Sequence, residues 1–373
     1  MTADVPSSLI TCDADLAAAC GRWSAVGVIG VDTEFVRERT YYPLPALIQV
    51  NDGDSVTLVD PLGISDFTPF ERVLGDPSIV KLMHACSEDL EVLEVLTGAT
   101  PRGLFDTQLA GAFAGHGYAL GYRSLVHALM DVVLDKGETR SNWLRRPLSS
   151  TQLRYAALDV VYLLPMHRQL SRELAVLGRT AWLDEELGHR RRAWDVDKQP
   201  EAAYVKVRRR AALSPAHHAV LRALSQWRET EAMARDIPRR HLLTDEVLIS
   251  LATALARDAP SSGDIKGLSE RARARYAHAI TACIETARRQ GPADLDALVD
   301  VRPYAGTLER LKRIVRRAAD TLTLPTELLA SRRGLEALMI NVLKNDGDIP
   351  PEFQGWRFDV VTSALLDCIH ASN

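Results

Sequence analysis

Cysteine is scarce in this sequence. Five occur in 373 residues, at Cys12, Cys20, Cys86, Cys283 and Cys368. They are scattered, odd in number and never spaced as CxxC, so neither a disulfide framework nor a zinc site is indicated, and a reducing compartment fits. No basic segment followed by an apolar run stands at the N-terminus, so no signal peptide is expected. No apolar stretch approaches the length that spans a bilayer. A cytoplasmic protein with no membrane partner is therefore expected. Strand-like patterning is missing beyond about residue 212. The length suits two or three domains, and an apolar content of 46% lets each bury a core.

Charge is present in both signs but unevenly placed. Residues 196–373 hold 27 Lys and Arg against 23 Asp and Glu, a net +4, which leaves 18 against 26, a net −8, for residues 1–195. A cluster of metal-binding carboxylates would contribute to an acidic front half. A basic second half suits a polyanion.

The most informative stretch is Gly30-Val31-Asp32-Thr33-Glu34-Phe35, entered through the apolar run Val26-Gly27-Val28-Ile29. The run is short and rich in β-branched residues, which reads as a buried strand. Asp32 and Glu34 then project from one face, about 7 Å apart. Two carboxylates so placed repel unless a cation lies between them, and oxygen ligands suit Mg²⁺ or Mn²⁺. An isolated pair is more often the polar lip of an ordinary strand.

Around this stretch the pattern predicts a short strand and a helix over residues 1–25, with an N-cap offered by Thr11-Cys12-Asp13. Further strands are expected at 46–50, 55–60 and 79–83, the first two joined by an Asn51-Asp52-Gly53-Asp54 hairpin turn. Helices are expected near 67–74, from Glu88 with Ser87 as its cap, and near 106–114, 122–130 and 149–176. This order implies a mixed sheet with helices packed on it. Residues 184–212 alternate acidic and basic clusters, ending in Lys206-Val207-Arg208-Arg209-Arg210, and read as a charged, proline-broken linker. Two helical blocks follow, at 213–290 and 291–373. They are loosely similar after Pro238 and Pro325, as repeats of one unit would be.

Two more sites carry candidate chemistry. Asp89 lies where a strand meets a helix, but so do Glu88 and Glu91, and acids are favoured in a first helical turn by the helix dipole alone. Tyr155 and Asp159 are four apart on a helix and share a face. An amphipathic surface helix would also place them so.

Taken in order, Asp32, Glu34, Asp89 and Asp159 with Tyr155 resemble the four-acid 3′–5′ exonuclease superfamily in its tyrosine-containing class. The wording around them is closer still to the ribonuclease D family. The stretches that carry the resemblance are Val31 to Val36 with Tyr41-Tyr42-Pro43, Ile48-Gln49, Asp60-Pro61-Leu62, His84 to Leu90, Phe105 to Gln108, Leu134-Asp135-Lys136 with Trp143 to Leu148, and Tyr155 to Val160. They cover roughly residues 25–180. Cys86 departs from the small residue expected there, which matters only if that backbone needs a positive φ. The helical blocks resemble the helicase-and-RNase-D C-terminal (HRDC) domain, the first at Ala234 to Pro238 and on to Ala252, the second less clearly at Leu324 to Met339 and Gly355-Trp356-Arg357.

The resemblance implies a ribonuclease H-like α/β exonuclease domain with a mixed sheet over 1–195, a linker over 196–212, an all-α HRDC domain over 213–290 and an HRDC-like domain over 291–373. It implies a 3′–5′ exoribonuclease that releases 5′-mononucleotides from RNA, with tRNA precursors as the typical partner, and a DNA exonuclease or a non-catalytic nucleic-acid-binding protein as alternatives. Two divalent metal ions, Mg²⁺ or Mn²⁺, would be held by Asp32, Glu34, Asp89 and Asp159. Glu88 rivals Asp89, since adjacent helical residues point about 100° apart and only one can face the site; the motif favours Asp89. Tyr155 would orient the attacking water, because a phenol with a pKa near 10 is a poor base. Thr33 would offer its amide to the 3′-terminal sugar. Phe35 is either a stacking surface for terminal bases or a core aromatic. His84 reads as a structural hydrogen-bonder. Basic helix faces at Lys312, Arg313, Arg316 and Arg317, and at Arg271, Arg273 and Arg275, are solvated surface or phosphate contacts.

Overall fold

The computed structural model describes residues 6–135, 137–138, 141–207, 213–255, 269–290, 302–344 and 348–371. Lys136 and Arg208 to Arg210, which figure in the expectations above, lie outside them. Among the described residues no helix is long and apolar enough to cross a membrane.

Six strands, β1 (Ser7–Ile10), β2 (Val28–Val36), β3 (Leu44–Asn51), β4 (Val56–Val59), β5 (Val80–Met83) and β6 (Leu104–Asp106), form one mixed sheet. Their order is β1-β4-β3-β2-β5-β6. The two hairpin-linked pairs are antiparallel and the other three parallel. β6 was not expected, because three residues are too few to show a period. Strand alternation sorts β2 onto two cores. Ile29 and Val31 pack with Trp23 and Phe70 on one face. Asp32 and Glu34 therefore project from the other, the face on which Leu47, Leu58, Val160 and Leu163 pack.

Eight helices belong to this first part: α1 (Asp13–Trp23), α2 (Thr68–Gly75), α3 (Ser87–Thr97), α4 (Thr107–Ala114), α5 (Tyr122–Met130), α6 (Ser150–Val161), α7 (Leu163–Val176) and α8 (Thr180–Asp197). Three expectations need correction. The N-cap position of α3 is Cys86, which makes no side-chain cap bond, and Ser87 is already helical. The single helix expected over 149–176 is α6 and α7, divided at Tyr162. The linker expected over 184–212 is helical as far as Asp197. Its mixed charges pair along α8, Glu186 with Arg190 and Arg191 with Asp195, and such i,i+4 pairs support a helix. Short 3₁₀ turns at Pro200–Lys206 follow.

Among its described residues the second part holds helices and no strand. The first block holds α9 (Pro215–Ala234), α10 (Arg239–Leu242), α11 (Asp245–Leu255) and α12 (Glu270–Gln290). The second holds α13 (Ala305–Leu322), α14 (Thr326–Leu329), α15 (Arg332–Lys344) and α16 (Ser363–His370). Both repeat one backbone device. A residue of positive φ, Asp236 or Thr323, follows the long helix. Two residues later Pro238 or Pro325 starts a four-residue helix, which an extended residue ends. In α13 the expected apolar stripe of Leu308, Leu311 and Val315 is buried, and Arg313, Arg316 and Arg317 are exposed. Arg271 and Arg275 are exposed as well.

The blocks dock differently. The second shares one continuous core with the sheet and α4–α8. Trp356 stacks on Trp182, with ring centroids 5.1 Å apart, and meets the edge of Phe113. The first keeps its own core, which takes in Tyr41 of the β2–β3 connection.

Candidate active site

Each acid is delivered by a different local rule. β2 presents Asp32 and Glu34 by alternation. α6 presents Asp159, three helical turns from a start marked by a capping box between Ser149 and Gln152. The carboxylate oxygens of Asp32, Glu34 and Asp159 lie within 4.8 Å of one another. α6 packs against β2, which places Asp159 beside Asp32 and Glu34. A Cβ on Gly30 would stand 3.2 Å from the Leu163 side chain, a tight contact at the start of α7.

Asp89 reaches the same place from the first turn of α3. It is buried and accepts a hydrogen bond of 2.5 Å from the Thr33 hydroxyl. Glu88 beside it is exposed. Glu91 turns away to a two-pronged pair with Arg37, at 2.6 and 2.8 Å. Of the three acids crowding that helix start, only Asp89 faces the cluster.

Crowding shows in the protonation of the acids. Burial, followed by repulsion from Asp89, Asp159 and Glu34, pushes Asp32 well above the ordinary carboxylate range. Burial and the charges of Asp159 and Asp89 push Glu34 to about 8. Burial raises Asp159 to about 7 against the opposing hydrogen bond from Tyr155 and the charge of Arg123. Burial raises Asp89 to about 6 against the Thr33 hydrogen bond. Burial thus raises all four carboxyls, and repulsion from neighbouring acids adds to it at each.

Tyr155 donates to Asp159, and burial raises its own pKa. Its ring is closely confined. The Arg123 guanidinium lies 6.0 Å from the ring centroid and the Trp143 ring 6.1 Å away. The Gly137 backbone presses so near that a Cβ would stand 1.8 Å from a ring carbon. Phe35 is half-buried, just past a register shift between Glu34 and Phe35. It joins none of the core clusters of the described residues. Thr33 is buried; its hydroxyl serves Asp89 and its amide lies against the Asp32 and Asp89 carboxylates. His84 is structural, as expected. Its Nε2–H donates to the Leu120 carbonyl at 3.0 Å and its Nδ1 meets the Thr107 hydroxyl at 2.9 Å. Cys86 has an ordinary φ of −66°, and the neighbouring Ala85 takes the left-handed turn.

Several motif residues turn out to be scaffolding. Arg146 grips both oxygens of Asp60, at 2.5 and 2.7 Å, and the Ala46 carbonyl. Asp106 caps α4 and accepts from the Ala85 amide at 3.1 Å, which steadies the turn leading to Asp89. Sequence reasoning missed Arg123, Gly137, Tyr122 and Asn51 at the site. Only the capping box of α6 carried a sequence signal for that neighbourhood.

Residues 8–175 match the 3′–5′ exonuclease family, residues 217–284 the HRDC domain and residues 303–365 the ribonuclease D C-terminal HRDC domain. Fold and acidic site together define a 3′–5′ exonuclease with two appended HRDC units. Ribonuclease D of Pseudomonas paraeruginosa is 38% identical over 364 residues, 96% of each chain. Ribonuclease D of Escherichia coli K12 is 38% identical over 368 residues, again 96% of each. The crystal structure of Escherichia coli RNase D, described as an exoribonuclease involved in structured RNA processing, matches with a TM-score of 0.85 at 36% identity, covering 98% of this chain and 99% of that one. The chain belongs to the ribonuclease D family, and it is a 3′–5′ exoribonuclease.

Proposed function

We propose that this exoribonuclease is metal-dependent, removes 5′-mononucleotides one at a time from the 3′ end of RNA, and takes tRNA precursors among its substrates. The observation that carries the metal dependence is the trio of Asp32, Glu34 and Asp159, with carboxylate oxygens within 4.8 Å and protonation pushed upward by burial and mutual repulsion. The donor set is all oxygen, which fits Mg²⁺ or Mn²⁺. Asp32, Glu34, Asp89 and Asp159 would hold two such ions. When bound, these would polarise the phosphodiester and make the attacking water a stronger nucleophile.

The remaining steps belong to the protein. Tyr155 stays protonated at neutral pH, so it acts as a donor that orients the water beside Asp159, not as the base. Arg123 holds the phenol in place. The Thr33 hydroxyl is committed to Asp89 and its amide lies against the Asp32 and Asp89 carboxylates, so an amide contact to a terminal sugar would be shared with those acids. Phe35, outside the core, is free to stack on the terminal bases. The relative described as acting in structured RNA processing supports tRNA precursors as substrates.

The test is a time course on RNA oligonucleotides with free or blocked 3′ ends, with and without Mg²⁺ or Mn²⁺, and on a 3′-extended tRNA precursor. The expected result is a single-nucleotide ladder, 5′-mononucleotide product, and dependence on both the free end and the ion. Asp159→Ala should lower the rate on the order of a thousandfold, the equivalent of several kcal/mol of charge stabilisation. An unchanged rate in a chelator, or in Asp159→Ala, would overturn the site assignment. An untouched tRNA precursor would remove it from the substrates.

A further inference from the structure

The break between α6 and α7 falls just after Asp159, and side chains from elsewhere hold it open. In a continuous helix the Tyr162 N–H would donate to the Leu158 carbonyl. Here the Tyr122 hydroxyl stands between them. It accepts from the Tyr162 N–H at 3.1 Å and donates to the Leu158 carbonyl at 2.9 Å. The Val160 carbonyl accepts from the Tyr162 N–H and from the Asn51 side chain, whose Nδ2 donates at 3.1 Å. Two carbonyls, one on each side of Asp159, are thus capped by residues 36 and 109 positions away in sequence. Inserting a group into the main-chain ladder is a recognised cause of helix kinks.

Both caps are themselves anchored to the site. Asn51 is buried and pairs across the sheet with Gly30, two residues before Asp32 on β2. Its Oδ1 accepts from the Gly53 amide, so the same side chain fixes the β3–β4 turn. Tyr122 packs edge-on against His84, with ring centroids 5.7 Å apart, and His84 is locked at both ring nitrogens. Arg123, the next residue, faces Tyr155. The start of α5 therefore addresses both Asp159 and Tyr155.

We propose that Tyr122 and Asn51 are positioning residues that set the direction of the Asp159 carboxylate by holding the α6–α7 break open. Without them the ladder would close, α6 would continue straight, and Asp159 would rotate off the line to Asp32 and Glu34. This rests on the reading of Asp159 as a metal ligand given above.

Tyr122→Phe tests it, since it removes one hydroxyl and keeps the ring. Mn²⁺ binding to the metal-stripped full chain is measured by calorimetry, beside kcat and KM on an RNA oligonucleotide. Affinity for Mn²⁺ should fall about 10–100-fold, the range for residues that orient metal ligands. kcat should fall in parallel, KM should stay within about twofold, and raising Mn²⁺ should restore much of kcat. A purely structural role would lower the Tm and leave the Mn²⁺ affinity of the folded protein unchanged, which overturns the proposal. If Tyr122→Phe does not fold, Asn51→Ser carries the same measurements, and wild-type Mn²⁺ affinity there overturns it equally. Asp159→Ala separates the two readings. If it binds Mn²⁺ and cuts RNA as wild type does, the metal site itself is misassigned. If it loses both while Tyr122→Phe keeps both, only the positioning inference fails.

Discussion

Asp32, Glu34, Asp89 and Asp159 are buried together, and that burial, with repulsion from neighbouring acids added, sets how the ion-free protein responds to pH. Each carboxyl has a folded pKa above its unfolded value, about 8 for Glu34, about 7 for Asp159 and about 6 for Asp89. Between the unfolded and folded values the folded state binds more protons than the unfolded one, so stability falls as pH rises. We expect the Tm of the metal-stripped protein to drop from about pH 5 to about pH 8, and added Mn²⁺ to recover more of it at the upper end. A Tm that rises over that window would contradict the crowding. Gly137 gives a second residue-scale expectation. Gly137→Ala must displace the Tyr155 ring, which has Trp143 and Arg123 beside it. Its kcat should fall about 100-fold, as for loss of a positioned proton donor, with RNA affinity by filter binding little changed. Neither contact was legible in the sequence, because Gly137 and Arg123 are joined to Tyr155 only by folding.

At the scale of elements, β5, the turn after it and α3 form one arm that carries Asp89, and Asp106 ties it down. That carboxylate accepts from the amides of Ala85, Cys86, Gln108 and Leu109. Asp106→Ala should cost about 1–3 kcal/mol in urea unfolding. It should also weaken Mn²⁺ binding measured by calorimetry, since the turn before Asp89 loses its anchor. The long elements were legible. β2, β3, the hairpin turn and the caps of α6 follow from alternation, turn residues and a capping box, all encoded within a few positions. β6 was not, because it is short and exists by pairing with β5. α8 was misread as a linker, because its charges look unstructured until their i,i+4 spacing is paired.

Across the whole molecule, the motif that marks the first HRDC domain is also its dock. Asp236 Oδ1 accepts from the amides of Tyr41 and Tyr42 at 2.9 and 3.0 Å. The Tyr41 hydroxyl donates to the buried Glu229 at 2.5 Å, and Arg239 closes the knot. The dock lies on the same β2–β3 connection that leaves the active site through Phe35. Asp236→Ala removes the acceptor of both bonds and places a less tolerant residue at a φ of +46°. We expect a loss of about 1–3 kcal/mol and a larger radius of gyration by small-angle scattering; unchanged values for both would show that the dock does not hold the domains together. The second HRDC unit offers no such hinge, because Trp356 and its neighbours complete the core of the exonuclease domain.

The sequence by itself determined the mixed-sheet exonuclease followed by two helical blocks, and it singled out Asp32, Glu34, Asp89, Asp159 and Tyr155. The strands and helices are written in local periods and short spacings; the five site residues stood out by their resemblance, in order, to the tyrosine-containing exonuclease class. Only the tertiary structure decided that the Thr33 hydroxyl holds Asp89, that α6 breaks just beyond Asp159, and that the two HRDC units attach in different ways. The reason is the same in each case: the deciding partner, whether Thr33, Tyr122, Asn51 or Tyr41, lies 36 to 195 residues away, and no local pattern encodes a contact made at that range.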